Sequence, residues 1–177
     1  MSTYQKDSEI SRFNDLAQTG RKFKISGDFY RVMKTAQTIH RLSEGAWDGT
    51  LDPLINLWGF GRKGSVNNLP GAGEIQAALS HVGFDRIHLN ASGTIAKQDP
   101  AMTLDLASIA KGYGVDVISQ LLGENGYSDY LVEIGGEVSA LGRRNDGNPW
   151  MVGINRPDRA AAMDDVYKAV PLTDRAM

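Results

Sequence analysis

The segment 104–113, Leu-Asp-Leu-Ala-Ser-Ile-Ala-Lys-Gly-Tyr, holds the residue types best suited to chemistry. Asp105 ends an apolar run and precedes small residues, which predicts a strand-to-helix junction with a carboxylate cap. Free N–H groups in a first helical turn attract an anion, and Lys111 could reach back to a phosphate as a point charge. Ala107 and Ser108 leave the backbone bare enough for a ligand or metal to touch main-chain oxygens. On spacing alone, an ordinary capped amphipathic helix is the better interpretation, so the choice depends on the rest of the chain.

The apolar periods predict the elements that position this junction. Helices come first and strands alternate with a helix afterwards, which indicates the α+β class with one mixed β-sheet and flanking helices. The stretch from Trp47 to Gly61 has the composition of a buried irregular segment, and 61–73 that of a solvent loop. The predicted helices are 8–17, 28–43, 74–82 and 107–125. The predicted strands are 86–89 and 94–97 as a hairpin, 102–104 before Asp105, then 130–134, 137–141 and 150–154.

Bulk composition bounds the function. The chain has 177 residues, 41% hydrophobic and 23% charged, which predicts a single domain over 1–177. A net charge of −2 offers no electrostatic footprint for nucleic acid, DNA included. The absence of cysteine excludes disulfides, thiolate catalysis and cysteine zinc sites, and the three histidines are too scattered to indicate a metal site. Neither end looks disordered, so we expect a piece of a larger protein.

Three segments follow, in order and spacing, the pattern of a known family over nearly the whole chain. The first is Ser-Thr-Tyr at 2–4 with Asp-Ser-Glu-Ile-Ser-Arg-Phe-Asn at 7–14. The second, within 44–61, holds Glu-Gly-Ala-Trp-Asp and Pro-Leu-Ile-Asn-Leu-Trp-Gly-Phe-Gly. The third is 105–113, followed by Val-Glu-Ile-Gly-Gly-Glu at 132–137 and by Pro149 and Trp150. Together they resemble the FAD:protein FMN transferases, also called the ApbE family.

The resemblance implies a T-fold-like α+β architecture and a magnesium-dependent enzyme. Such an enzyme cleaves the pyrophosphate of FAD and moves the FMN half onto a Thr or Ser hydroxyl of a target flavoprotein, releasing AMP. It implies Mg²⁺ as cofactor, FAD as substrate and an acceptor flavoprotein subunit of a redox complex as partner. For the full-length parent it implies a lipoprotein at the periplasmic face of the inner membrane. A cation and bare backbone suit this reaction, since charge builds on phosphoryl oxygens in the transition state.

The resemblance also implies roles for particular residues, although it assigns no catalytic one. Ser108 matches a magnesium-binding position, where its main-chain carbonyl is the expected hard oxygen donor. Trp47 stands where the family usually has a smaller apolar residue. An aromatic face at Tyr4 suits a flat flavin ring, while the residue alone fits a core position equally well. The implied flavin-nucleotide contacts are Tyr4, Ala46, Asp105 and Lys111.

The family pattern continues with segments that this sequence does not contain. These are a Ser-Gly segment, a His-Asp-Pro-Thr-Gly segment, and an aspartate and a threonine that complete the metal site. We therefore expect a truncated member that is inactive by itself. Two other functions stay open: an FAD pyrophosphatase that gives FMN and AMP, and a noncatalytic flavin-binding module.

Overall fold

A computed structural model describes residues 1–61, 69–158, 162 and 165–177. The helices are α1 Glu9–Asn14, α2 Gly27–Leu42, α3 Asp52–Leu57, α4 Ala72–Leu79 and α5 Ala107–Glu124. The strands are β1 Phe23–Lys24, β2 Ile87–Asn90, β3 Thr94–Lys97, β4 Tyr130–Ile134, β5 Glu137–Leu141, β6 Trp150–Asn155, β7 Val166–Leu172 and β8 Arg175–Ala176. This confirms the predicted α+β class. No helix in the described part of the chain combines the length and apolar character needed to cross a bilayer.

The chain divides into two compact units, 1–110 and 111–177. That the whole of 1–177 acts as one domain stays a prediction. The described strands pair only in antiparallel fashion, in three small sheets of order β1-β3-β2, β4-β5-β8 and β6-β7, where the sequence predicted one mixed sheet. The β2–β3 and β4–β5 pairs are hairpins that need only tight turns, whereas β1 joins β3 and β8 joins β5 from far along the chain.

The first unit is built on α2 and on the β2–β3 hairpin. Ser26 caps α2 by accepting a hydrogen bond from the Phe29 amide at 3.2 Å, as Ser8 does for α1. The apolar face of α2 is buried over its first three turns and forms much of the core, whereas Leu42 at its end is 75% exposed. Its buried residues are Phe29, Val32, Met33 and Ala36.

The second unit contains the β4–β5 hairpin and the β6–β7 pair. Gly135 and Gly136 join β4 to β5 with φ values of 58° and 99°, which favour glycine at both turn positions. Val138, Ala140 and Leu172 form the buried core of this unit. The predicted strands 130–134 and 137–141 are confirmed, and 150–154 is confirmed with one residue added.

Two sequence predictions near the site were wrong. The 47–61 stretch contains α3, whose first turn holds Asp52 and Pro53, a residue that favours helix starts. Phe60 is 83% exposed, so this stretch is not buried throughout. The segment 102–104 is not a strand, because Asn14 takes the backbone groups of Leu104 that a neighbouring strand would need. Of the predicted loop at 61–73, residues 62–68 lie outside the described residues.

Candidate functional site

Asp105 lies at the entrance to α5, as predicted. Its Oδ1 accepts a hydrogen bond from the Ala107 amide at 2.8 Å, and its own amide donates to the carbonyl of Gly49 at 2.9 Å. The carboxylate therefore satisfies one of the free donors of the first turn, and the backbone of Asp105 is tied to the 46–50 segment. Among the described residues, no donor reaches its second carboxylate oxygen, which remains available to a ligand.

The first turn of α5 offers fewer free amide donors to an anion than the sequence predicted. The amides of Ile109 and Ala110 both donate to the carbonyl of Leu106, at 3.0 and 2.8 Å. In the described part of the chain, the amide of Ser108 has no acceptor. A phosphate here would meet one free amide beside the Asp105 carboxylate, so the helix terminus alone would not hold it.

A cleft of about 330 Å³ opens beside this turn. Three of the five predicted site residues meet in it: Ala46, Asp105 and Ser108. These three come from two segments about 60 residues apart, which the Asp105–Gly49 hydrogen bond joins. The full lining is Ala46, Trp47, Asp48, Leu51, Ile55, Asp105, Ala107 and Ser108.

Trp47 forms one wall of the cleft. Its indole Nε1 donates to the Ser108 hydroxyl at 3.1 Å, and its ring meets that of Phe84 edge-on with centroids 5.4 Å apart. Its carbonyl is 2.7 Å from Nδ1 of His40. The Ser108 hydroxyl therefore accepts a hydrogen bond from the indole, and a metal-binding role for the Ser108 main-chain carbonyl stays a prediction. Carbonyl oxygens have two lone pairs and can serve a helix and a ligand together.

Asp48 is a cleft residue that the sequence analysis did not single out. Its Oδ1 accepts from the amide of Thr50 at 2.7 Å and from the Thr50 hydroxyl, and its Oδ2 accepts from the amide of Phe84 at 2.9 Å. Both carboxylate oxygens are thus engaged in shaping the turn that carries Ala46 and Trp47. The available signal was its place in the Glu-Gly-Ala-Trp-Asp motif.

Asp52 and Thr103 support the α3 side of the cleft, and the sequence analysis predicted neither residue as part of the site. Asp52 is buried at the start of α3 and accepts from the hydroxyl of Thr103 at 2.9 Å and from Asn56 Nδ2 at 2.9 Å. The Asp52–Thr103 bond joins α3 to the segment that precedes Asp105. Helix α3 contributes Ile55 to the cleft lining. Asp52 and Thr103 therefore support the shape of the site, although neither lines the cleft.

The remaining two predicted residues are not among the lining residues. Tyr4 lies in the opening turn with 76% of its surface exposed, which excludes the core position that the sequence left open for it. Lys111 belongs to the second unit, where its Nζ donates to the carbonyl of Gly135 at 3.2 Å and lies 3.4 Å from Glu137 Oε2. In this structure Lys111 spans the β4–β5 turn.

The charge of the cleft follows from its lining. Asp48 and Asp105 are acidic, and no described lining residue is basic. Within the described residues, no group of three or more His, Asp or Glu side chains is placed to hold a metal ion. Because this acidic lining would repel a ligand with two phosphates, such a ligand would need a cation that the lining residues do not supply.

A larger open groove of about 830 Å³ lies on the same unit, lined among others by His40, Asp85 and His88. None of the predicted site residues lines it. We therefore place the candidate site in the smaller cleft, where the motif residues converge.

Comparisons with known proteins agree with the motifs. The family model described as the ApbE family matches residues 1–177. The FAD:protein FMN transferase of Haemophilus influenzae is 41% identical over 160 residues, covering 89% of this chain and 46% of the relative. That of Vibrio cholerae is 42% identical over 158 residues, with the same coverage. The chain thus spans about half the length of the curated relatives it matches.

Solved structures give the same result at the level of the fold. The flavin transferase ApbE from Vibrio cholerae superposes with a TM-score of 0.87 at 38% identity, covering 99% of this chain and 56% of that one. The ApbE protein of Thermotoga maritima gives a TM-score of 0.82 at 28% identity, covering 99% of this chain and 55% of that one. From its motifs, its fold and these matches, the chain belongs to the ApbE family.

Proposed function

We propose that this protein transfers the FMN half of FAD to a Thr or Ser hydroxyl of a target flavoprotein and releases AMP. The hydroxyl oxygen forms a bond to the phosphorus on the FMN side, the P–O bond toward AMP breaks, and the hydroxyl proton leaves. The observation that carries the proposal is the cleft in which Ala46, Asp105 and Ser108 meet at the start of α5. Relatives named FAD:protein FMN transferase at 41% and 42% identity support it.

We also propose that Mg²⁺ assists the reaction, because the cleft fits a hard cation in its donor chemistry. The Ser108 carbonyl and the second oxygen of Asp105 are oxygen donors, which Mg²⁺ prefers, and substrate phosphates and waters commonly fill its other positions. A cation between Asp105 and a diphosphate would also relieve their like-charge repulsion. When bound, Mg²⁺ supplies charge neutralisation at phosphoryl oxygens.

The chain's own residues contribute positioning. The free Ser108 amide donates to a phosphoryl oxygen, and Trp47 fixes the Ser108 side chain through its hydrogen bond. Asp105 fixes the helix start through Ala107 and keeps one oxygen toward the ligand. Ala46 leaves the backbone of its turn open to the nucleotide. Phosphoryl transfer depends mostly on such positioning and on charge neutralisation.

The acceptor is proposed to be a flavoprotein subunit of a redox complex, and the site of action the periplasmic face of the inner membrane, with the protein as a lipoprotein. These proposals rest on the family resemblance.

The test supplies the native gene product with FAD and millimolar Mg²⁺, with and without an acceptor flavoprotein domain. We expect AMP release that depends on the acceptor, together with flavin that stays on the acceptor after denaturation. Free FMN and AMP without an acceptor would identify a pyrophosphatase instead. Saturable FAD binding without turnover would identify a flavin-binding module and refute the transferase.

A further inference from the structure

Lys97 is a charged residue in the core of the first unit. It ends β3, its side chain is 1% exposed, and the ring centroid of Phe13 lies 5.6 Å from its Nζ. Lysine is almost never fully buried unless it is paired. Burial lowers the pKa of Lys97, because it disfavours the charged form, while Asp99 and Asp15 act in the opposite direction.

Three backbone carbonyls compensate this burial. Lys97 Nζ donates to the carbonyls of Asn14 at 2.7 Å, Pro100 at 2.8 Å and Met102 at 2.9 Å. An ammonium has three donors, so all of them are used. Asn14 ends α1, where carbonyls lack helical partners, and Met102 lies in the segment that leads to Asp105. One side chain thus joins the end of α1 to that segment.

Asn14 makes the second link. Its Nδ2 donates to the carbonyl of Leu104 at 2.9 Å, and its Oδ1 accepts from the Leu104 amide at 2.8 Å. The side-chain amide of Asn14 therefore makes the two backbone hydrogen bonds that a neighbouring β-strand would otherwise make with Leu104. Both groups are buried, Asn14 being 8% exposed and Leu104 fully buried, so an unmade bond here would be costly.

The next residue along the chain is Asp105, whose amide is held from the other side by the Gly49 carbonyl. We infer that Lys97 and Asn14 are positioning residues for the cleft, because Lys97 fixes the backbone at Met102 and Asn14 fixes it at Leu104, so that Asp105 and Ser108 face the nucleotide. Neither residue lines the cleft. The part of this inference that concerns the nucleotide rests on the proposed function.

The main variant is Asn14→Leu, which keeps the side-chain size and removes both hydrogen bonds. Lys97→Met removes the ammonium, and Asn14→Asp keeps an acceptor for the Leu104 amide but loses the donor. The matched control is Val32→Ala, a fully buried site in α2 outside these hydrogen bonds. Thermal unfolding of each variant reports its general loss of stability.

The first readout is hydrogen exchange of the Asp105 and Ala107 amides in the 177-residue chain. We expect exchange at least about tenfold faster in Asn14→Leu and Lys97→Met, beyond what their global stability explains, and a smaller effect in Asn14→Asp. Val32→Ala should change these amides only in proportion to its global stability. If exchange at these amides follows global stability in Asn14→Leu as it does in Val32→Ala, the inference is overturned. If Lys97→Met does not fold, the two Asn14 variants decide.

The second readout is FAD affinity of the native gene product, from flavin fluorescence. We expect about tenfold weaker binding in folded Asn14→Leu and a change within about twofold in Val32→Ala. Unchanged affinity in Asn14→Leu would overturn the link to the nucleotide. Failure of the parent protein to bind FAD would refute the proposed function instead, and the exchange data would then decide the inference about Asp105.

Discussion

Gly49 is closely packed against the Trp47 wall of the cleft. A Cβ added there would lie 2.9 Å from Cη2 of Trp47, 3.1 Å from Cδ2 of Leu106 and 3.2 Å from Cε2 of Phe84. Carbon atoms in good contact are about 3.5–4.0 Å apart, so all three neighbours would have to move. Gly49 does not have a left-handed φ, so the conflict is one of space. Gly49→Ala should therefore displace the indole that bonds Ser108.

The change in the free energy of unfolding on Gly49→Ala is the sum of two opposing contributions. Overpacking a well-packed core costs about 1–3 kcal/mol. Replacing Gly by Ala where the backbone permits it returns about 0.4–1 kcal/mol by restricting the unfolded chain. The expected net loss is about 1–2 kcal/mol, or a Tm lower by roughly 2–8 °C for a chain of this size.

The assay compares Gly49→Ala with Gly123→Ala. Gly123 lies inside α5 with nothing within 4 Å of an added Cβ, so alanine there should stabilise by about 0.5–1 kcal/mol. Thermal unfolding gives the stability, and tryptophan emission, assigned with a Trp47→Phe variant, reports the indole. We also expect weaker FAD binding in Gly49→Ala, since the Gly49 carbonyl holds Asp105. A Gly49→Ala protein as stable as the parent, with unchanged Trp47 emission, would refute this account of the cleft.

Three further predictions concern single residues. Asp105→Ala in the native gene product should weaken FAD binding and turnover while costing only about 1 kcal/mol of stability, the usual cost of losing a cap; an unfolded variant whose remaining folded fraction binds FAD normally would make Asp105 structural. The 177-residue chain alone should hold Mg²⁺ weakly and release no AMP from FAD at millimolar Mg²⁺, because the Ser108 carbonyl and one Asp105 oxygen are too few donors for octahedral coordination, whereas a chain extended through the metal-site segments of the family pattern should turn over; robust turnover by the shorter chain would contradict the metal assignment. Hydrogen bonds from His81 and the Ala101 amide hold the pKa of Asp99 below its ordinary value, so its contribution to stability is present at neutral pH and is lost as the pH falls through the lowered pKa. Asp99→Asn should therefore lower the Tm at pH 7, and its difference from the parent should shrink below about pH 4; a constant difference would rule out this ionisation as the cause.

Much of the local structure was predictable, because its causes lie close together in the sequence. The apolar period of 28–43 and a serine cap determine α2, and the turn residues between 90 and 94 determine the β2–β3 hairpin. The hydrogen bond from the Ala107 amide to Asp105 at the start of α5 also follows from neighbours within one helical turn. In α3 the proline in the first turn was a local signal, but the glycines and aromatics around it favoured an irregular stretch.

The sequence by itself determined the family motifs and the start of α5, and three of the five site residues that the resemblance implies line the cleft, while Tyr4 and Lys111 do not. Only the tertiary structure decided what surrounds them. The Asn14–Leu104 bonds join residues 90 positions apart and the Trp47–Ser108 bond joins residues 61 apart, and no local pattern shows that these partners meet. Lys97 would be placed at the surface by its type, yet it is buried because the distant Asn14 carbonyl meets the nearby carbonyls of Pro100 and Met102 around its ammonium group. Hydrogen-bond partners of this kind are chosen when the chain folds back on itself, since a buried polar group must find whichever complement the packed backbone presents.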